Sequence, residues 1–332
     1  MLGLGLIFSI MASPVCAQSL TLLEGLEVVT SQGYDVRIAE AHRESAALAV
    51  NLTKSRMRPQ ANAYADHTWL KNRPEAIFGA GTSPLSEDHF LRYGVTVNQT
   101  ITDFGRTAAG VDSARAGALA QAVHVDQARN GTALAFVHAY LSLLKAEKTL
   151  IVTEQEVKLF EAHAANARIL YDAGEVTRSD VLTAEVALAD ALQRKISARD
   201  GRELAASSIN YLILQPLDQS IQVVDFPSLK AGFPVMDDST VAAETARPEL
   251  RILDQKITAL ESDLRMRRSD DYPVVFVSGG YSFEENPYRV YEDNWSVVLG
   301  ITWDLYTGGA RSAGEAQVVQ ELAAAVAERE RM

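Results

Sequence analysis

Two periodicities divide this 332-residue chain. From Thr107 to about Tyr171 the sequence is Ala-rich, charged and free of proline. Leu134, Val137, Leu141 and Leu144 recur there at spacings of three and four, the seam of a coiled coil. The pattern predicts one helix on the order of 100 Å long at ~1.5 Å per residue. Asp172-Ala-Gly-Glu-Val interrupts it, with Gly174 where a left-handed C-cap is wanted. Thr177 and Asp180 then form a capping-box pair, and Val181, Ala184, Leu188 and Ala191 resume the seam as far as Leu214-Gln215-Pro216. The segment therefore reads as a helical hairpin. Shorter helices are predicted over 20–56 and from about Ser239.

Elsewhere the period is two. Tyr93, Val95, Val97 and Ile101 alternate with Gly94, Thr96, Asn98 and Thr100. Trp295, Val297, Leu299, Ile301 and Trp303 alternate with Ser296, Val298, Gly300 and Thr302. One apolar face on a period of two is an amphipathic strand. Each run is long enough for a tilted strand to cross a bilayer, which takes about 9–11 residues. The joining loops, from Lys71 to His89 and from Glu284 to Asp293, are polar and rich in proline, glycine and acid.

These elements recur in order. Arg37 to Pro59 and Arg251 to Pro273 align without a gap, each an Ala/Leu-rich helical run closing on a basic stretch and proline. Each proline opens a pair of strands, and each pair ends at a glycine turn that leads into a helix: Gly105-Arg106 in one case, Gly308, Gly309 and Arg311 in the other. A repeated helix–strand–strand–helix unit is read before anything else. It divides the chain into a leader (1–17), a first repeat (18–215), a linker with Pro216, Pro227 and Pro234 (216–238), and a second repeat (239–332) whose own helical hairpin is absent.

Composition narrows the setting. Met1 to Ala17 is short and apolar and closes on Val15-Cys16-Ala17, which fits a secretory signal although no Lys or Arg precedes the apolar run. Cys16, the only cysteine, is a candidate lipid acceptor with a bulky Val15 before it. After cleavage no thiol remains for a disulfide or a thiolate metal site. No later apolar run approaches the ~20 residues of a spanning helix, so membrane insertion would require a barrel. A formal charge of −12 argues against non-specific nucleic-acid binding.

Taken alone, the strands fit either a soluble sandwich or a membrane barrel. The leader, the scarcity of other strands and the placement of all three tryptophans in or beside these segments favour the barrel. Trp69, Tyr93, Trp295 and Trp303 are then candidates for interfacial girdles. Four strands cannot close a barrel whose smallest form has about eight, so several copies must complete it: two would supply eight strands and three would supply twelve.

At this point the chain resembles the TolC-like outer-membrane efflux family over essentially all of its mature length. The resemblance rests on Asn98-Gln-Thr-Ile-Thr-Asp-Phe-Gly-Arg106, on Leu170-Tyr-Asp-Ala-Gly-Glu-Val-Thr-Arg-Ser-Asp-Val-Leu-Thr-Ala184, and on Arg247-Pro-Glu-Leu250. It implies a mainly α fold with a membrane β-barrel contribution. Long antiparallel coiled-coil helices form a tunnel wall, and four amphipathic strands per chain form a barrel closed by oligomerisation. A homotrimer in outer-membrane lipid, with its helices in the periplasm, would receive solutes or proteins from an inner-membrane pump and a periplasmic adaptor (membrane fusion protein). Efflux and type I secretion both fit. Ala173, Gly174 and Glu175 match the family's adaptor-docking tip. Asp180 matches a tunnel-gate aspartate, while its own surroundings assign it the cap, and both readings stand. The chain departs from the family by ending at Met332 without a second hairpin, and the expectation is a fragment of a longer protein.

No enzyme chemistry and no cofactor are expected. Asp103-Phe-Gly lacks the loops of a kinase, the six histidines show no metal-ligand spacing, and the glycine pairs lack the context of a nucleotide loop. The competing class is a soluble periplasmic coiled-coil adaptor or scaffold, with a non-functional truncated channel fragment as a further alternative. The cargo is not legible.

Overall fold

The computed structural model describes residues 18–79, 81–225 and 247–332. The expected leader with Cys16, most of the linker and the helix start near Ser239 lie outside the described residues. Those described fall into two compact units, one from 18–39 and 125–225, the other from 40–124 and 247–332.

The first unit opens with β1 (Gln18–Leu20) and α1 (Leu22–Gln32). Thr21 and Glu24 cap α1 reciprocally. The single helix expected over 20–56 is in fact broken at Gly33, where ψ of 146° leaves the helical region and α2 (Tyr34–Ser55) starts afresh. A Cβ at Gly33 would lie 2.5 Å from the Val29 carbonyl oxygen, so the tight break requires glycine. The expected long helix is α3 (Arg106–Asp172), returning as α4 (Arg178–Leu212). Their seam carries cross-helix ion pairs, among them Arg168–Glu185 at 2.7 Å and Arg194–Glu156 at 3.3 Å.

This unit's core joins Val29 of α1, Phe136, Tyr140 and Leu143 of α3, and Ile209 of α4. Gly25 exists to admit the Phe136 ring: a Cβ there would meet Cζ at 2.0 Å. The linker expected to be loop-like contributes a short strand, β6 (Ile221–Val223), paired in parallel with β1. Tyr140 secures the pair by sharing its single hydroxyl proton between the Val224 carbonyl at 2.6 Å and, more weakly, the Leu20 carbonyl at 3.1 Å.

In the second unit α2 and its repeat counterpart α5 (Pro248–Ser269) are both 22 residues long. Each leads into a strand pair, β2 (Gln60–Trp69) with β5 (His89–Thr102), and β7 (Val274–Glu284) with β8 (Asp293–Thr302). The four form one antiparallel sheet in the order β2-β5-β7-β8. The Lys71–His89 segment, expected to be a plain loop, contains a small hairpin of β3 (Glu75–Phe78) and β4 (Gly81–Pro84). After β8 the chain enters α6 (Ala310–Arg331), which packs on α5 through Lys256–Glu328 at 2.9 Å and Arg268–Glu315 at 2.8 Å.

Candidate functional site: a two-faced sheet and a helical tip

Register makes the sheet two-faced, because directly paired residues point the same way. One face carries Ala61, Ala63 and Ala65 of β2, Tyr93, Val95 and Val97 of β5, Val275, Val277, Tyr281 and Phe283 of β7, and Trp295, Val297, Leu299 and Ile301 of β8. Nothing in the described chain covers it: the four β8 side chains are 74, 67, 74 and 69% exposed. Gln99 lies on this face with its amide spent on the carbonyls of Met57 and Thr100, at 2.8 and 2.6 Å. A soluble sandwich would bury such a face against a second sheet, and none packs on it among the described residues.

The opposite face is polar. Asn62, Thr96, Asn98, Ser278, Ser282, Ser296 and Asn294 line it, and hydroxyls of Thr96 and Ser278 donate to Asn62 and Asn98 across the strands. Small residues keep it low. Over Gly94 lies the Tyr64 ring, and over Gly300 the Phe276 ring, where an added Cβ would come within 2.9 and 2.5 Å of ring carbons.

Aromatic side chains bound the apolar face at both ends. Toward the strand-joining loops lie Trp69, Tyr93 stacked on Phe283 at 4.8 Å, and Trp295 paired with Tyr281. At the helix end Trp303 follows the last residue of β8 and donates its indole N–H to the Asp271 carbonyl at 3.1 Å. Eight residues separate Trp295 from Trp303, roughly 27 Å of strand. Tilted by about 35–45°, that length covers roughly 19–22 Å along the bilayer normal, most of the ~25 Å apolar band of an outer-membrane barrel. Ile101 departs from the expected alternation. It is the extra residue of a bulge, since Thr100 pairs with Phe276 and Thr102 with Val275.

Two strand-to-helix turns lie at the helix end and are built by different means. Phe104 and Gly105 take positive φ (52° and 93°), and the buried Asp103 carboxylate accepts from the Thr107 amide at 2.8 Å and from its hydroxyl. In the second turn Gly308 and Gly309 carry the positive φ, and α6 starts without a side-chain cap. Arg106 and Arg311 approach neighbouring carboxylates, Asp270 at 3.0 Å and Asp271 at 3.8 Å, which ties both turns to the end of α5.

The tip is a separate feature, on the other unit. Gly174 is left-handed (φ 79°), the Glu175 amide donates to Leu170 and the Gly174 amide to Tyr171, both at 2.9 Å. That is a Schellman closure, and it brings Ala173, Gly174 and Glu175 together at the turn. Asp180 occupies the first turn of α4, accepting from the Thr177 amide at 2.8 Å and hydroxyl at 2.7 Å, both through Oδ2. These bonds hold its carboxyl below the ordinary value of 3.8. The cap role is thus filled, and the solvent-exposed position leaves Oδ1 open to a further contact.

Among the described residues no group of His, Cys, Asp and Glu could hold a metal ion, and no helix is long and apolar enough to cross a membrane.

Solved structures share this fold. The CmeC outer membrane channel of Campylobacter jejuni superposes with a TM-score of 0.76 at 16% identity, covering 93% of this chain and 67% of that one. VceC of Vibrio cholerae, an outer membrane protein, gives 0.70 at 16% identity over 93% and 74%. The open state of the MtrE outer membrane channel of Neisseria gonorrhoeae gives 0.67 at 18% identity over 93% and 69%. No curated protein matches at the level of sequence. The model of the outer membrane efflux protein family matches residues 29–213, more than half of the chain. With the two-faced sheet and the capped helical hairpin in place, that match establishes that the chain belongs to the outer membrane efflux protein family, TolC-like channels of the outer membrane with a periplasmic helical part.

Proposed function

We propose that this chain is one wall segment of an outer-membrane exit duct, closed into a twelve-stranded barrel by three copies. The observation that carries the reading is the exposed apolar face backed by a polar one. Lipid outside and water inside a barrel satisfy both faces at once. The sheet's edges support closure between copies: β2 and β8 each lack a partner on one side in the described chain. An even number of antiparallel strands also sets the β8 of one copy antiparallel to the β2 of the next, so that the ring abolishes both edges.

In this reading the two sequence repeats each give two strands to the barrel and helices to the tunnel. The tip residues Ala173, Gly174 and Glu175 dock a periplasmic adaptor, and the free Oδ1 of Asp180 serves the tunnel gate. An inner-membrane pump supplies the energy, in a tripartite efflux or a type I secretion assembly, and the chain itself does no covalent chemistry. The test is purification. Outer-membrane material that needs detergent, has a trimer's mass and conducts ions in a planar bilayer is the expected result. A monomer released by osmotic shock would refute it.

A further inference from the structure

The end of the sheet remote from the helices carries more charge than its wall function needs. On the polar face Arg92 of β5 sits between two carboxylates: its guanidinium lies 3.0 Å from Asp66 of β2, and its register partner on β7 is Glu284. Glu284 in turn holds Arg289 of the β7–β8 loop at 3.3 Å. The result is a ladder of alternating sign, Asp66–Arg92–Glu284–Arg289, running across three strands onto the loop. It lies just beyond the Tyr93–Phe283 stack that marks the outer aromatic end of the opposite face.

The loop is held over this face. Arg289, Val290 and Tyr291 line with Tyr64, Arg92 and Glu284 an open pocket of about 610 Å³. Its anchor is Asn286, 1% exposed, which donates its side-chain amide to the Leu85 carbonyl at 3.1 Å and accepts from the Tyr288 amide at 3.1 Å. Tyr288 then donates its hydroxyl to Glu87 at 2.9 Å. The β7–β8 loop is therefore clamped to the segment after β4, leaning across the polar side of the sheet. Across 284–293 it carries four carboxylates (Glu284, Glu285, Glu292, Asp293) and one arginine.

From this geometry we infer an exit-side charge filter at the mouth of the duct: the clamped loop narrows the polar face, and Glu284 sets a preference for cationic solutes. The inference rests on the channel reading above. Glu284 is the determining position because it pairs with Arg289 and lies directly across the strands from Arg92. Removing its charge makes the mouth more positive by one unit per copy and takes away the ion-pair partner of Arg289. Charges in a narrow, poorly screened mouth weigh on the passing ion more than those on an open surface, and low ionic strength keeps them unscreened.

The experiment is the reversal potential of the full chain in planar lipid bilayers under a KCl gradient at low ionic strength. The expected result is a potassium-over-chloride permeability ratio above one, lowered several-fold by Glu284→Gln and raised by Arg289→Gln. The second variant changes an exposed loop side chain and so keeps the test open should Glu284→Gln fail to assemble. A conducting protein whose ratio neither variant moves overturns the filter and leaves the channel standing. An anion-selective wild type overturns it too. Absence of any conductance overturns the channel reading and the filter with it.

Discussion

Neighbouring residues of β8 separate a lipid-facing wall from a soluble one. Leu299 lies on the apolar face, 74% exposed, four residues from Trp295 and four from Trp303. At ~3.4 Å per residue it is about 14 Å from either aromatic end, the middle of the band. An arginine there must sit in hydrocarbon, at a cost of roughly 2–4 kcal/mol per copy. In the proposed trimer the three copies bring this to about 6–12 kcal/mol per barrel on the same principle. Val298, the preceding residue, is half exposed on the opposite face beside Ser278. An arginine there meets water and costs within about 0.5 kcal/mol, as at an ordinary surface position. Leu299→Arg should therefore deplete the protein from the outer membrane and lower its unfolding midpoint in urea in lipid vesicles, while Val298→Arg should leave both near wild type. Equal effects, or a larger one at Val298, would refute the assignment of faces. Trp295→Arg adds a depth check, with a cost of about 0–1 kcal/mol near the interface.

Three further outcomes follow from local geometry. Gly174→Ala puts a Cβ on a residue with φ 79° and should destabilise the hairpin tip by about 1–2 kcal/mol, read as faster amide exchange around 170–180. Phe136→Ala empties the fully buried site between α1, α3 and α4 and should cost about 3–5 kcal/mol in chemical denaturation. Capping-box bonds hold the carboxyls of Asp180 and Glu24 below their ordinary values of 3.8 and 4.5. Their contribution is therefore complete above those values and is lost as pH falls through the lowered ones. Exchange at the starts of α1 and α4 should thus quicken below about pH 4, and Asp180→Asn should remove the pH step at α4 alone.

Much of this architecture is legible in the order of residues. The hairpin follows from its three-and-four seam, and its turn from Gly174 with Thr177 and Asp180, because capping uses side chains a few positions apart. Both strand pairs follow from alternation, and the gapless repeat places α2 and α5 at matching positions with equal length. What escapes depends on partners distant in the chain. Gly33 breaks a helix whose composition is continuous, and the close approach to the Val29 carbonyl that demands it is not a pattern. β1 and β6 are three residues each, too short for any period, and their pairing, with the Tyr140 hydroxyl against carbonyls on both flanks, joins segments about 200 residues apart. Arg92 meets Asp66 and faces Glu284 by cross-strand register, and spacing along the chain marks none of them.

Alternation along each strand already decided that every strand has an apolar side, since successive side chains leave a pleated backbone in opposite directions. It could not decide that the four apolar sides coincide, because a slip of one residue in any pairing sends a strand's apolar set to the other face. The registers of β2 on β5, β5 on β7 and β7 on β8 settle that question and gather the side chains into one uncovered surface. The same registers place the charges of Asp66, Arg92 and Glu284 together on the reverse side, beyond the reach of local pattern because backbone hydrogen bonding between distant segments is what brings them into line.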